Sequence, residues 1–297
     1  MSATKVKRRR FSFSPYGFLC AAVAIYGLFV VYPIVETIIL SFTSWNGYSP
    51  IKEFVGLRNY VMIFTKDPVF WVAIKNNVIW ATLSILIPVG TALILAVVVD
   101  GLPRLSGLFR GAFFVPTVVP TVVVATIWSW IYNPMVGLLN TLLGSVGLEK
   151  WTHVWLGEPD TALYSVLAAG SWRYVGFCMV ILLAGLRGIP DEIRDAARID
   201  GASEWQFFRR ITVPMLRDVI TVLVVFSTIG SFRLFDLVYV MTWGGPNNAS
   251  DVLATHMYTQ AFRNNLMGYG AALSVLLLSM VTVVTVVQMR VLQRQQQ

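Results

Sequence analysis

The sequence predicts an all-α membrane protein with six membrane-spanning helices and both termini on the cytoplasmic side. Of its 297 residues, 56% are hydrophobic and only 13% charged, where soluble domains have about 45–50% apolar and about 25% charged residues. Six apolar windows are long enough for a helix to cross the hydrocarbon layer, which takes about 20 residues. The Lys and Arg behind a net charge of +8 gather between those windows rather than on one folded face, so a nucleic-acid partner is not expected. Cys20 and Cys178 stand far apart inside apolar stretches, which argues against both a disulfide framework and a metal site.

The chain opens with Lys5, Lys7, Arg8, Arg9 and Arg10, read as a cytoplasmic tail over residues 1–16. The first span, 17–40, carries Glu36 near its outer end, within reach of interfacial water. A cleavable signal peptide has the same basic-then-apolar order, but this run is too long, holds Pro33 and Glu36, and is followed by no small-x-small cleavage site. The second span, 78–99, and the third, 111–132, are free of charge and joined by a short turn. Pro116 and Pro120 stand one turn apart in the third and predict a kink. The fourth, 161–186, contains Arg173; the fifth, 219–243, contains Arg233 and Asp236; the sixth, 266–289, has no charge. Backbone polar groups in lipid must be satisfied internally, which makes each window a helix.

Orientation follows from the cationic residues. With the N-terminus inside, the inner segments hold the basic tail, then Arg104 and Arg110, then Arg187, Arg194, Arg198, Arg209, Arg210 and Arg217, and finally Arg290 and Arg294. The outer connections hold only Lys52, Arg58, Lys66, Lys75, Lys150 and Arg263.

One inner connection, 187–218, is long, charged with both signs and still periodic. Pro190 at a helix start with Asp191 and Glu192 behind it predicts a short helix to about Ile199. Asp200 and Gly201 then turn the chain, Ser203 caps a second short helix over 204–211, and Pro214 follows. The small Ala196 and Ala197, flanked by Asp195 and Arg198, allow a partner backbone to approach closely, as in a helix inserted into a groove.

At these residues the chain resembles a known family. The pattern E-A-A-x-x-x-G, then I-x-L-P after nine intervening residues, marks the transmembrane subunits of binding-protein-dependent ABC importers, and stands here as Asp195-Ala196-Ala197, Gly201, Ile211 and Pro214. Asp195 replaces the usual Glu and Val213 the usual Leu. The resemblance continues through F-V-G-L-R-N-Y at 54–60, P-T-V-V-P-T-V-V-V-A-T-I-W at 116–128, G-L-L-N at 137–140 and F-D-L-V-Y-V-M-T-W-G-G-P at 235–246, which look like the carbohydrate-uptake branch, including permeases for oligosaccharides and glycerol-3-phosphate.

The resemblance implies a type I ABC importer transmembrane domain in the plasma membrane, multi-pass and non-catalytic. It places the first helix and outer loop at 17–70, the permease domain at 71–291 and a cytoplasmic tail at 292–297. Asp195, Ala196, Ala197, Arg198, Asp200, Gly201 and Ala202 would dock into a cytoplasmic ATPase subunit, which binds ATP and Mg. The implied partners are a second homologous permease, two ATPase subunits and an extracytoplasmic solute-binding protein.

Charged groups within a span are costly unless they face a cavity or a partner. Arg233 and Asp236, three apart on the expected fifth helix, share a face and either neutralise one another or line the pathway. Arg173 lies near the middle of its span beside Trp172, whose ring suits a sugar face. Trp128, with Trp130 and Tyr132, reads as an interfacial anchor or a sugar-stacking residue.

No Lys follows a Gly, so the chain lacks a phosphate-binding Gly-Lys loop, and energy must come from another subunit. His153 and His256 fall in outer loops, leaving no His-based metal or catalytic cluster, and no nucleophile with an adjacent base suggests a membrane enzyme. An ion-coupled secondary transporter is the alternative; it would be expected to carry coupling groups on broken helices.

Overall fold

A computed structural model describes residues 14–102 and 104–294; the basic cluster at 5–10 and residues 295–297 lie outside them. The regular structure is helical, apart from one isolated bridge between Thr43 and Phe54. The end of the bundle that carries residues 187–218 is here the loop end, and the opposite one the far end.

Helix α1, Leu19–Leu40, keeps its apolar side chains outward, with Phe29 70% exposed, as suits a helix whose neighbours are acyl chains. Its main protein neighbour is the last helix, Met267–Arg294. The short α2, Arg58–Lys66, runs into α3, Pro68–Asp100. The start of α3 is fixed by Asp67, whose carboxylate accepts from the amides of Val69 and Phe70 at 3.0 and 3.1 Å, with Pro68 in the first turn. The expected outer loop therefore loses its last ten residues, 68–77, to helix. At 33 residues α3 is about 50 Å long, so it projects beyond the hydrocarbon. It widens at Ile85–Val89 around Pro88, which has no amide to donate.

The expected third span is two helices, not one kinked helix. Helix α4, Ser106–Val118, and α5, Thr121–Ile131, meet at 98°. Val119 and Pro120 between them are extended, with ψ of 132° and 139°. Pro120 causes this: it disfavours helical backbone at the preceding residue and lacks the amide that would continue the ladder. Pro116 sits inside α4 without ending it.

Beyond the far-end helix α6, Leu138–Ser145, the unbroken α7, Pro159–Leu186, forms the centre of the bundle. It packs along α4 and along the second half of α3. Gly176 lets α4 come close: a Cβ there would lie 1.8 Å from the Phe113 carbonyl oxygen. At the loop end stand α8, Asp191–Ile199, and α9, Glu204–Met215, which bends by 66° into α10, Arg217–Phe232.

The expected fifth span is also interrupted. It stops at Arg233 (φ −89°, ψ 4°) and resumes as α11, Asp236–Met241, after Phe235 at φ −135°, ψ −60°. Arg233 and Asp236 thus do not share one helical face. A continuous helix would hold both charges within hydrocarbon depth, whereas the break lets both turn toward a cavity. Helix α12, Leu253–Tyr258, continues in a wide turn, Thr259–Arg263, before α13, Met267–Arg294. Among the described residues four helices are long and apolar enough to cross a membrane, α1, α3, α7 and α13, and the two bent pairs bring the number to six.

Two apolar cores meet along α7. Toward the far end, Leu163, Val166 and Leu167 pack with Trp80, Val124, Leu237 and Val238. Toward the loop end, Met179, Leu182 and Leu183 pack with Ala92, Ala96, Leu216 and Leu223. Between them lies a polar layer of Ser84, Ser171, Arg173, Tyr174, Ser227 and Ser231.

Candidate functional site

The loop-end segment folds as the sequence predicts, with two adjustments. Pro190 is the residue before α8 rather than its first, and α9 runs through Pro214 to Met215. Gly201 turns the chain at φ +75° with open space where a Cβ would stand. Its amide donates to Arg198 O at 3.1 Å, and that of Ala202 to Ala197 O at 2.9 Å, closing the end of α8. Ser203 Oγ accepts from the Gln206 amide at 3.3 Å while Gln206 Oε1 accepts from the Ser203 amide at 2.9 Å, a reciprocal cap on α9.

Asp195, Ala196, Arg198, Asp200 and Gly201 are exposed and Ala202 half-buried. Ala197 is buried at 7%, so only Ala196 of the alanine pair can meet a partner. Ile199 and Trp205 stand out beside them, 87% and 66% exposed; the polar pattern of the loop had drawn attention away from both. The segment is tied to the α3–α4 turn: Arg194 Nη2 lies 3.2 Å from Asp100 Oδ2, and Arg187 Nη2 donates to Ser106 Oγ at 3.2 Å. Arg194 also rests on the Phe207 ring, 5.6 Å from its centroid.

At the middle of the bundle the structure brings Arg173, Arg233 and Asp236 together around an open cavity of about 550 Å³. No hydrogen bond or ion pair engages the Arg233 or Asp236 side chains among the described residues, so they do not neutralise each other. Arg173 has a second task. Its Nε donates to Val119 O at 3.4 Å, a carbonyl released by the α4–α5 break, and its own carbonyl accepts from Thr117 Oγ1 at 2.9 Å. Tyr174, Phe177 and Phe226 complete much of the wall. Sequence reading passed over them, yet Phe226, Gly230 and Arg233 recur at the spacing of one helix face, as do Arg173 and Phe177.

Trp172 and Trp128 lie outside that lining; they meet edge to face at 6.0 Å. Trp128 also packs on Tyr132 at 5.2 Å, and its buried indole N–H has no acceptor among the described residues. Glu36 pairs with Lys52 at 2.8 Å on the surface.

A buried cluster at the far end was not legible in the sequence. His256, expected in a loop, is in α12 and 2% exposed. Its Nε2 lies 2.7 Å from Asp67 Oδ2, which also accepts from Tyr269 Oη at 2.6 Å, and its Nδ1 lies 3.8 Å from Asp251 Oδ2. Burial pushes the Asp67 carboxyl up, but hydrogen bonds from Tyr269 and His256, the His256 charge and the Phe70 amide outweigh it and hold it below its ordinary value. Burial keeps Asp251 above its own, against the hydrogen bond from Thr255.

Similarity to known proteins agrees with this architecture. A Bacillus subtilis protein described as a probable ABC transporter permease, YurN, is 41% identical over 93% of this chain and 94% of its own length. The lactose transport system permease LacF of Rhizobium radiobacter is 34% identical over 95% of this chain and 94% of its own. In fold, the chain superimposes on a bacterial ABC transporter involved in importing the acidic polysaccharide alginate with a TM-score of 0.82, covering 95% of this chain and 96% of that one at 21% identity. The family described as binding-protein-dependent transport system inner membrane component matches residues 87–297, and the chain belongs to it: it is a membrane-embedded ABC transporter permease.

Proposed function

We propose that this permease forms half of the pathway of an ATP-driven importer that moves a saccharide or related solute delivered by an extracytoplasmic binding protein. The observation that carries the reading is the pairing of a mid-bundle cavity walled by Arg173, Arg233, Asp236 and aromatic rings with an exposed docking segment at the loop end. The Arg233 guanidinium and the Asp236 carboxylate, without a hydrogen-bond or ion-pair partner among the described residues, suit a hydroxyl-rich solute, to which one donates and from which the other accepts. The lactose permease and alginate transporter likenesses support the same substrate class.

In this reading residues Asp195 to Ala202 seat in a groove of a partner ATPase, which binds ATP and Mg, and both termini face the cytoplasm. Two ATPase subunits closing on one another would each grip one docking segment, so a second permease is required. ATPase closure favours one conformation of the permease pair and shifts its population. Trp172 and Trp128 act beside the pathway, supporting its wall through Arg173 and Tyr132.

The test is reconstitution of the chain with a second permease, the ATPase and the binding protein in liposomes. ATP-dependent uptake of a labelled disaccharide, stimulated by the binding protein, is expected. Uptake by the chain alone under a proton or sodium gradient would overturn the reading in favour of a secondary transporter.

A further inference from the structure

The stretch that carries Arg233 and Asp236 leaves and re-enters the bundle at one side chain. Helix α10 ends at Phe232 and α12 begins at Leu253, and each helix end leaves backbone groups without an intrahelical partner. Asn77, on α3 and 1% exposed, satisfies one such group at each end. Its Nδ2 donates to Ser231 O at 2.7 Å, the place that the Phe235 amide would hold in an unbroken helix, and its Oδ1 accepts from the Leu253 amide at 2.9 Å. Only this orientation of the side-chain amide suits both partners, because one is a carbonyl and the other an N–H.

We infer that Asn77 is the positioning residue of the cavity: it fixes where α10 stops, and so where the Arg233 and Asp236 side chains project. The inference deepens the pathway reading given above and rests on it. No hydrogen bond or ion pair engages those two side chains among the described residues, so their place is that of their backbone. Ser231, fully buried, is two residues before Arg233. Arg233 closes α10 and Phe235 turns out of it, so the course of the chain through the cavity wall is set within a few residues of the tether. The Ser231 hydroxyl donates to Thr228 O inside α10 and gives the break no hold on a neighbouring element.

The preceding residue of α3 supplies a comparison. Asn76 is 4% exposed and also makes two hydrogen bonds, to Ala249 O and Asp251 O, both at 2.8 Å. It holds only the returning arm, whereas Asn77 holds both ends of the excursion. The two contacts of Asn77 span 154 and 176 positions. Movement of the α12 start against α3 therefore reaches the Arg233 turn through a single amide.

The test uses the complete transporter. With Cys20 and Cys178 replaced by Ala, Asp236→Cys is a reporter whose rate of reaction with a cationic methanethiosulfonate in detergent reads whether position 236 faces the water of the cavity, without any solute. Asn77→Ala is expected to lower that rate at least about fivefold, and Asn76→Ala to leave it within about twofold. Uptake of radiolabelled lactose, maltose and cellobiose, with Asp236 retained, is the second readout. Asn77→Ala should lower it roughly tenfold, but by less than about twofold in an Arg233→Leu background, because a residue acting through Arg233 then has nothing left to position. If the Asn77→Ala complex does not assemble, Asn77→Gln, which keeps the amide and lengthens the tether by one methylene, is read in its place with the same expectations. Failure of both to assemble, an unchanged labelling rate, an equal fall with Asn76→Ala, or a loss of uptake that repeats in full in the Arg233→Leu background would overturn the positioning role alone. Unchanged uptake by Arg233→Leu would overturn the pathway reading, and the positioning role with it. Should none of the three sugars be taken up, the saccharide reading falls and the labelling rates decide the tether.

Discussion

Replacing His256 by Leu removes the imidazole that stands between the buried Asp67 and Asp251 carboxyl groups. The side chains of His256, Asp67 and Asp251 are 3%, 11% and 7% exposed, so solvent cannot take over its role. Breaking a buried pair costs about 3–5 kcal/mol. The lower figure applies here, because Asp67 keeps Tyr269 and the amides of Val69 and Phe70, while Asp251 keeps Thr255 and the Val252 amide. A loss of about 3 kcal/mol corresponds to a fall in melting temperature of roughly 5 °C for a chain of this size. The assay is tryptophan-fluorescence melting of the purified complex in detergent at pH 7. Adding Asp67→Asn should recover part of the loss, because a neutral amide is less costly to bury without the imidazole than a carboxylate is. Melting of His256→Leu within about 2 °C of wild type, or strict additivity of the two substitutions, would refute an energetically coupled cluster.

The acid limb of the same melting curve tests Asp67 separately. Its folded carboxyl is held below the ordinary 3.8, so the stability it contributes is present above that value and lost as pH falls through the lowered one; Asp67→Asn should flatten the decline below about pH 4. Gly201→Val should leave assembly intact but cut solute-stimulated ATPase and uptake, since a left-handed L-residue costs about 1–2 kcal/mol and a β-branched one more; normal coupling would exclude the docking turn. Arg233→Leu should reduce uptake at least tenfold while the complex still purifies intact; unchanged uptake would remove Arg233 from the pathway. Gly176→Ala, whose methyl would collide with the Phe113 carbonyl, should lower stability by about 1–3 kcal/mol through separation of α4 and α7, read as melting temperature.

The spans were legible because hydrocarbon thickness imposes length and apolarity on sequence directly. The loop segment was legible for a different reason: Gly201, Ser203 and the acidic start of α8 are local signals, and each turned up where such signals act. What stayed hidden is non-local. His256 meets Asp67 across 189 positions and Tyr269 meets it across 202, and no periodicity links such residues. The breaks at Val119–Pro120 and Arg233–Phe235 were misread as a kink and a continuous span, because hydropathy is blind to backbone direction when both sides of a bend are apolar. Arg173, Arg233 and Asp236 nonetheless line one cavity, as Arg and Asp at that depth demand an aqueous neighbour.

Three departures from regular helix fall at the level of the cavity. The widened turn at Ile85–Val89, the extended pair Val119–Pro120 and the gap before Asp236 all adjoin the layer where Arg173 and Gly230 sit, between the two apolar cores. A rod missing its i→i−4 bonds bends most easily at that point, while close-packed interiors resist deformation. Three weak points in separate helices therefore share one stratum, with a close-packed core above and another below. Tilting one block on the other changes the width of the cavity at the seam without prising apart either interior.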